Sequence, residues 1–127
     1  MIKRGIAALV LAAGAALGGL AVAPAAEAAP AGCNPGALCA YWLTNYTNGA
    51  GHSVQQVYQN NDDLTMYANF YSSAHGSLFN NGNSCNVDVY PGKNHGGGVM
   101  HLDRGTGWVD VSPDNLPHIE SNYWCTY

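Results

Sequence analysis

The sequence predicts an all-β fold, and three observations support this prediction. Short runs of β-favouring residues recur at a spacing of about eight to twelve residues. Clusters of glycine, proline and asparagine separate these runs. After residue 28, no segment repeats apolar residues at helical spacing over several turns. This combination is typical of an antiparallel sandwich.

The first half of the chain contains three predicted strands, each ended by turn-forming residues. The β-favouring run Leu38–Leu43 ends at the glycine-rich segment 48–51. Ser53–Tyr58 follows and is broken by the polar segment 60–63, after which Ala68–Ser72 is predicted as the third strand.

The second half begins after a predicted loop, Asn80 to Asn83, and again contains three strands. In Val87–Tyr90 two valines alternate with Asp88 and Tyr90, which is the pattern of a half-buried strand. Turns at 91–94 and 104–107 then flank the predicted strands Val99–Asp103 and Trp108–Val111.

The first 28 residues have the features of a signal peptide that is removed. Lys3 and Arg4 precede an apolar stretch, and Ala26-Glu27-Ala28 supplies the small residues that signal peptidase recognises. We therefore expect residues 29–127 to form a single secreted domain with no membrane association. Its two basic and seven acidic residues give a net charge of −5, which excludes a nucleic-acid partner.

All four cysteines follow this segment, so an oxidising compartment predicts two disulfides and no free thiol. Three pairings are open. The turn residues between Cys33 and Cys39 favour a bond between these two cysteines, which leaves Cys85 to pair with Cys125.

An internal repeat relates the two halves at an offset of 48 residues. Trp42 precedes Gly49 by seven positions, and Tyr90 precedes Gly97 by the same distance. The pattern predicts two folded-over hairpins, in which the glycine adopts a tip conformation that is closed to other residues. Later serines, Ser72 or Ser73 in the first half and Ser112 in the second, are predicted to bond the hairpin backbone.

These residues resemble those of a known family. The doubled aromatic-x6-Gly pattern is similar to the paired Greek keys of βγ-crystallins. The opening residues 33–41, Cys-Asn-Pro-Gly-Ala-Leu-Cys-Ala-Tyr, resemble the Streptomyces metalloproteinase inhibitor family more specifically. The resemblance implies a βγ-crystallin-like antiparallel sandwich of two Greek-key motifs. It also implies a monomeric inhibitor of an extracellular, thermolysin-like metalloprotease.

The resemblance implies a reactive loop beside a cysteine, and residues 84–87 are its candidate. Inhibitors that imitate a substrate hold an extended loop rigid, and a disulfide at Cys85 supplies such rigidity. Thermolysin-like enzymes prefer a bulky apolar residue after the cut bond, so the bond between Asn86 and Val87 is a better candidate than the one between Cys85 and Asn86. The loop candidates are Ser84, Cys85, Asn86 and Val87. One alternative is that Val87 begins a buried strand and the asparagine run before it is merely a linker. Another is that the inhibitor acts through a zinc-chelating group at an exposed loop tip, such as His75 or Asp114.

The residues do not favour an enzyme, a metal or a cofactor. The serines lie in no nucleophile-elbow motif, and the histidines do not occur at zinc-ligand spacing. Asn69, Ser72 and Ser73 match part of the calcium motif of crystallin-like domains, but Ala68 stands where the first oxygen ligand belongs.

A second functional class stays open, namely a crystallin-like module with a structural, envelope-binding or toxin-like role. A glycan-binding version of it predicts that Trp42, Trp108 or Trp124 is exposed in a row, whereas an inhibitor predicts an exposed and rigid loop at 84–87.

Overall fold

The computed structural model describes residues 28–111 and 118–127 and contains seven strands and one short helix in that part of the chain. The elements are β1 (Ala37–Tyr41), β2 (Gln55–Val57), α1 (Ala68–Tyr71), β3 (Gly76–Asn81), β4 (Val87–Tyr90), β5 (Met100–Leu102), β6 (Gly107–Val111) and β7 (Ser121–Trp124). Residues 1–27 of the predicted signal peptide, Ser112 and Asp114 lie outside the described residues.

The strands form two antiparallel sheets, which confirms the predicted all-β class. One sheet has the order β2-β1-β3-β6 and the other has the order β5-β4-β7. Strand β6 belongs to the second half of the chain but pairs with β3 of the first half. In return, Asn61 of the first half forms an isolated bridge with Asn122 on β7. Each half therefore contributes backbone to the other half's sheet.

The core lies between the sheets, and the central strand β1 is buried on both faces. Leu38 and Ala40 belong to a core cluster that also contains Val87 and Val89 of the opposite sheet. The alternate residues of β1, including Tyr41, join a smaller cluster with Cys33 and Phe79. Because successive side chains point to opposite faces, burial on both faces explains why β1 carries no polar residue.

Three elements differ from the sequence prediction. The segment predicted as strand 68–72 is the short helix α1, whose Asn69 and Phe70 are buried. Strand β3 was not predicted, because Asn80 and Asn81 indicate a loop by composition. Strand β7 was also missed.

The repeated hairpins share a backbone conformation. Gly49 has a φ of 71° and Gly97 a φ of 82°. A Cβ atom at Gly49 would lie 3.0 Å from Leu43 Cδ1, and one at Gly97 would lie 2.6 Å from Pro91 Cγ. Both positions therefore need glycine for its backbone freedom and for the space it leaves.

The hairpins are held by serines other than Ser72. Ser77 Oγ donates to Leu43 O at 2.7 Å and accepts from the amide of Tyr46 at 2.8 Å. Ser121 Oγ donates to Gly92 O at 2.7 Å. Ser72 instead caps the C-terminus of α1 with an exposed side chain. Ser73, the other predicted serine, donates its Oγ to Trp42 O at 2.6 Å. In the first half Ser73 and Ser77, and not Ser72, therefore bond the hairpin backbone.

Candidate functional site

The predicted reactive segment overlaps the connection between β3 and β4, residues 82–86, which we call the clamped loop. Asn83 and Ser84 are exposed, whereas Cys85 and Asn86 are half-buried. The loop is a short connection that leads from β3 in one sheet to β4 in the other, at one end of the sandwich. It therefore presents a tight bend to solvent.

A disulfide anchors this loop to the end of β7. Cys85 is bonded to Cys125, with 4.9 Å between their Cα atoms. The residues after Cys125 are tethered as well, since Thr126 Oγ1 donates to the buried carboxylate of Asp88 and Tyr127 OH donates to Asp103 at 3.0 Å. Burial and the hydrogen bond to Asp103 raise the pKa of Tyr127. The hydrogen bonds of Thr126 and Tyr127 thus hold in place the chain end to which the loop is bonded.

Asn80 bridges the two ends of the clamped loop from inside. Its Oδ1 accepts from the amide of Gly82 at 2.8 Å, and its Nδ2 donates to Cys85 O at 3.3 Å. The same Nδ2 donates to Leu102 O at 3.0 Å. Asn80 is fully buried, so these bonds are shielded from exchange with water and hold the bend firmly.

Arg104 fixes the loop from the outside. Its Nε donates to Gly82 O at 2.9 Å, and its backbone amide donates to Asn86 Oδ1 at 2.9 Å. The amide of Cys125 adds a bond to Asn86 O at 3.0 Å. Hydrogen bonds therefore reach residues at both ends of the loop, while Asn83 and Ser84 stay at the surface.

Val87 does not belong to the exposed loop, so its prediction as a presented residue is wrong. It is fully buried and pairs with Leu102 on β5 and Trp124 on β7. The Val87/Val89 alternation is a core signal, as the alternative interpretation proposed. The bond between Asn86 and Val87 therefore lies at the start of a strand that is paired on both sides.

A groove of about 320 Å³ opens beside the clamped loop. Gly36, Tyr58 and Trp124 line it together with residues 82–85 of the loop. Cys33 is bonded to Cys39 with 5.8 Å between their Cα atoms, and this bridge closes the turn that holds Gly36. Both disulfides therefore lie at the same end of the molecule, next to one groove.

The other described candidates, His75 and the residues of the partial calcium motif, are not brought into this site. His75 is exposed and lies 4.0 Å from Asp110. Asn69 Nδ2 donates to Ala40 O at 2.8 Å and to Ser53 O at 2.7 Å. Ser73 Oγ donates to Trp42 O at 2.6 Å. The residues of the partial calcium motif thus hold backbone in place.

Metal and membrane features were searched within residues 28–111 and 118–127. In this part of the chain no group of three or more His, Cys, Asp or Glu side chains is placed to hold a metal ion. Its single helix is far too short to cross a membrane.

The tryptophans do not form an exposed row in the structure. Trp42, Trp108 and Trp124 are each half-buried. Trp42 stacks on His52, with 4.0 Å between ring centroids and 4° between planes, and Trp108 and Trp124 both pack against the core. Trp124 alone lines the groove beside the clamped loop.

The sequence analysis missed Asn80 and Arg104, which carry much of the clamp. Asn80 was assigned to a loop, and Arg104 was assigned only to a turn. One signal was available, since Arg104 is one of two basic residues in the predicted mature chain. The scarcity of basic residues in an acidic chain indicated that Arg104 has a specific partner.

Comparison with known proteins agrees with this architecture. The model of peptidase inhibitor family I36 matches residues 26–102, which is more than half of the chain. A search of curated protein sequences gives no match. Solved structures do match, at low sequence identity.

One similar structure is a βγ-crystallin domain from work on the evolution of the eye lens fold. It has a TM-score of 0.57 and 16% identity, and the match covers 78% of this chain and 95% of that one. IPSE alpha-1, an IgE-binding crystallin, has a TM-score of 0.56 and 19% identity over 75% of this chain and 87% of its own. IPSE/alpha-1 from Schistosoma mansoni eggs matches with a TM-score of 0.54 and 18% identity, over 70% and 84% of the two chains. At these identities the likeness establishes the βγ-crystallin-like fold alone.

The chain belongs to peptidase inhibitor family I36, the Streptomyces metalloproteinase inhibitor family. Membership of this family makes it a peptidase inhibitor, which binds an enzyme and is not one itself.

Proposed function

We propose that this member of family I36 is secreted and inhibits an extracellular metalloprotease of the thermolysin type by presenting the clamped loop to the enzyme. The observation that carries the proposal is the bracing of an exposed bend, Asn83 and Ser84, between a disulfide and buried hydrogen bonds. Two disulfides also suit an extracellular protein.

Rigidity is the property that separates an inhibitor from a substrate. A flexible segment loses conformational freedom when it enters a protease cleft, which costs about 0.5–1.5 kcal/mol per ordered side chain. The clamped loop has lost this freedom before binding, because Asn80 and Arg104 already hold its ends. After cleavage of a bond in the loop, the same contacts would keep the two new ends together.

The exposed side chains of the loop are polar and small, which limits how it binds. Neither Asn83 nor Ser84 offers the bulky apolar group that a thermolysin-like enzyme prefers after the cut bond. Asn86 directs its side-chain oxygen to the amide of Arg104. We therefore expect backbone contacts and shape to supply most of the affinity, and any slow cleavage to fall between Asn83 and Asn86.

The decisive experiment titrates oxidised protein of residues 29–127 against a thermolysin-like protease, with a trypsin-like serine protease as a control. We expect stoichiometric loss of the metalloprotease activity alone. Absence of inhibition at micromolar excess, with both disulfides formed, would move the function to the second class, a crystallin-like module with another extracellular role.

Two matched serine variants test the loop itself. Ser84→Arg places a bulky charge on the clamped loop and is expected to weaken inhibition about 30-fold or more, as for a contact at the centre of an interface. Ser72→Arg introduces the same change at an exposed serine before β3, whereas the loop follows β3. The six-residue strand keeps the two sites about 17 Å apart, so Ser72→Arg should inhibit like the natural protein.

A further inference from the structure

The groove beside the clamped loop has the dimensions of a small-ligand site. Its volume of about 320 Å³ lies within the range of about 300–1,000 Å³ that is usual for such sites. We call it the aromatic groove, after the two aromatic side chains that line it, Tyr58 and Trp124. Tyr58 is 51% exposed, so its ring is accessible to a ligand.

The aromatic groove carries no charged side chain. Its polar side-chain groups are the amides of Gln59, Asn60 and Asn83 and the hydroxyls of Tyr58 and Ser84. The net charge of the whole chain is −4, which disfavours anions. Arg104 donates its Nε to the lining residue Gly82, but its own side chain does not line the groove. A cationic ligand would find no carboxylate in the lining either. The groove therefore suits a neutral ligand.

Aromatic rings combined with amides match one class of neutral ligand, the sugars. A pyranose ring presents an apolar face of C–H groups, which packs on an aromatic ring, and a rim of hydroxyls. Side-chain amides both donate and accept hydrogen bonds, so they suit hydroxyl groups that do the same. A purely apolar ligand would form no hydrogen bonds with the side-chain amides of Gln59 and Asn83.

The aromatic groove is formed before any ligand arrives. Asn34 Nδ2 donates to Tyr58 OH at 3.2 Å, and Tyr58 OH lies 3.5 Å from Gln56 Oε1, to which it donates. The backbone amide of Trp124 donates to Asn60 Oδ1 at 2.8 Å. Each wall is also tied to a disulfide, so binding orders few groups.

From these observations we infer that the aromatic groove binds a neutral oligosaccharide, with Tyr58 and Trp124 as its stacking surfaces. The groove shares Asn83, Ser84 and Cys85 with the clamped loop. A sugar in the groove therefore occupies part of the surface that a protease would contact, and the two ligands compete.

The test titrates isotope-labelled protein of residues 29–127 with neutral trisaccharides and follows its NMR spectrum. The probes are cellotriose, maltotriose and triacetylchitotriose, and sialyllactose is the charged control. We expect saturable shifts of the Tyr58 and Trp124 signals with at least one neutral probe at concentrations up to about 10 mM, and none with sialyllactose. Because the readout is binding, it does not depend on protease inhibition.

Three tyrosine variants separate stacking from structure. Tyr58→Ala removes the ring and should weaken binding about tenfold, the equivalent of about 1.4 kcal/mol. Tyr58→Phe keeps the ring but loses the hydrogen bond from Asn34, and should bind within about twofold of the natural protein. Tyr71→Ala removes an exposed tyrosine outside the groove and serves as the matched control.

Three results would overturn the inference: no shift with any neutral probe, equal binding of sialyllactose, or an undiminished affinity in Tyr58→Ala. If Tyr58→Ala weakens protease inhibition while no sugar shifts the spectrum, the groove belongs to the protease interface and binds no sugar.

Discussion

The two halves of the molecule fold over their hairpins in the same way but differ in almost everything attached to them. Ser77 and Ser121 occupy equivalent places, and each bonds the backbone of its own hairpin. Gly49 and Gly97 both have a positive φ. Among residues 28–111 and 118–127, the helix α1 and the longer connection lie in the first half. The duplication thus preserves the serine hydrogen bonds and the glycine conformations that shape the hairpins, whereas the connections between the strands differ.

The disulfides show the difference most clearly. Cys33 and Cys39 are buried and close a bend of the chain with a sequence separation of 6. Cys85 and Cys125 are more exposed and join residues separated by 40 positions. The first bridge shapes a turn within one half, whereas the second ties the clamped loop to the end of β7. The candidate site therefore lies on the clamped loop and its disulfide, which are not part of the repeated pattern.

Removing each disulfide in turn should give the largest difference between the halves. In the chain-entropy model, the bridge with the longer loop contributes about 4 kcal/mol and the shorter one about 2.4 kcal/mol. We expect the double variant Cys85→Ala/Cys125→Ala to lose more free energy of unfolding than Cys33→Ala/Cys39→Ala, as measured by urea denaturation.

Inhibition should separate these variants further. Loss of the Cys85–Cys125 bridge frees the clamped loop, so inhibition should weaken even under conditions where the variant remains folded by circular dichroism. The variant without Cys33–Cys39 retains the clamp and should inhibit once folded. A greater loss of stability from the shorter bridge would contradict the entropic account of this comparison.

The sequence predicted the features that repeat and missed those that depend on tertiary contacts. The spacing from Trp42 to Gly49 and from Tyr90 to Gly97 is local information, and it indicated the hairpins. Strands β3 and β7 instead contain buried asparagines, Asn80 and Asn122, whose amides bond distant backbone. Composition assigns asparagine to loops, so it cannot detect such strands.

The same limit applies to the candidate site. A cysteine next to a polar run indicated the exposed loop, and the structure places Ser84 there. Whether Val87 belonged to the loop or the core depended on its pairing with β5 and β7, which no local pattern contains. The aromatic groove combines side chains from residues 36 to 125, so it exists only after folding.

Serine substitutions test whether the hairpins of the two halves are equivalent. Ser77 and Ser121 are buried, so Ser77→Ala or Ser121→Ala leaves a backbone group unpaired and should cost about 1–3 kcal/mol. Ser72→Ala alters an exposed side chain and should stay within about 0.5 kcal/mol of the natural protein. Chemical denaturation of the three variants measures these changes. A loss confined to one of the two buried serines would show that the halves depend differently on their hairpins.

The smallest expected effect concerns the buried tyrosines of the two halves at alkaline pH. Burial, with a smaller contribution from Tyr46, raises the pKa of Tyr41 from 10.0 to about 12. Burial and a hydrogen bond to Asp62 raise the pKa of Tyr123. A pKa that is higher in the folded state contributes stability below the unfolded value, and this contribution disappears as the pH rises through the folded value. The free energy of unfolding should therefore fall from about pH 10 towards pH 12.

Replacing one tyrosine at a time assigns this loss to a half of the molecule. Tyr41→Phe removes a hydrogen bond of 2.8 Å to Ala31 O and should cost about 1 kcal/mol at neutral pH. It should also flatten the alkaline decline, since phenylalanine has no proton to lose. Tyr123→Phe should do the same for the second half, and the exposed Tyr71→Phe should leave the profile unchanged. If neither buried tyrosine alters the slope between pH 10 and pH 12, the alkaline loss arises elsewhere. The stability of the two halves would then depend on pH through groups other than Tyr41 and Tyr123.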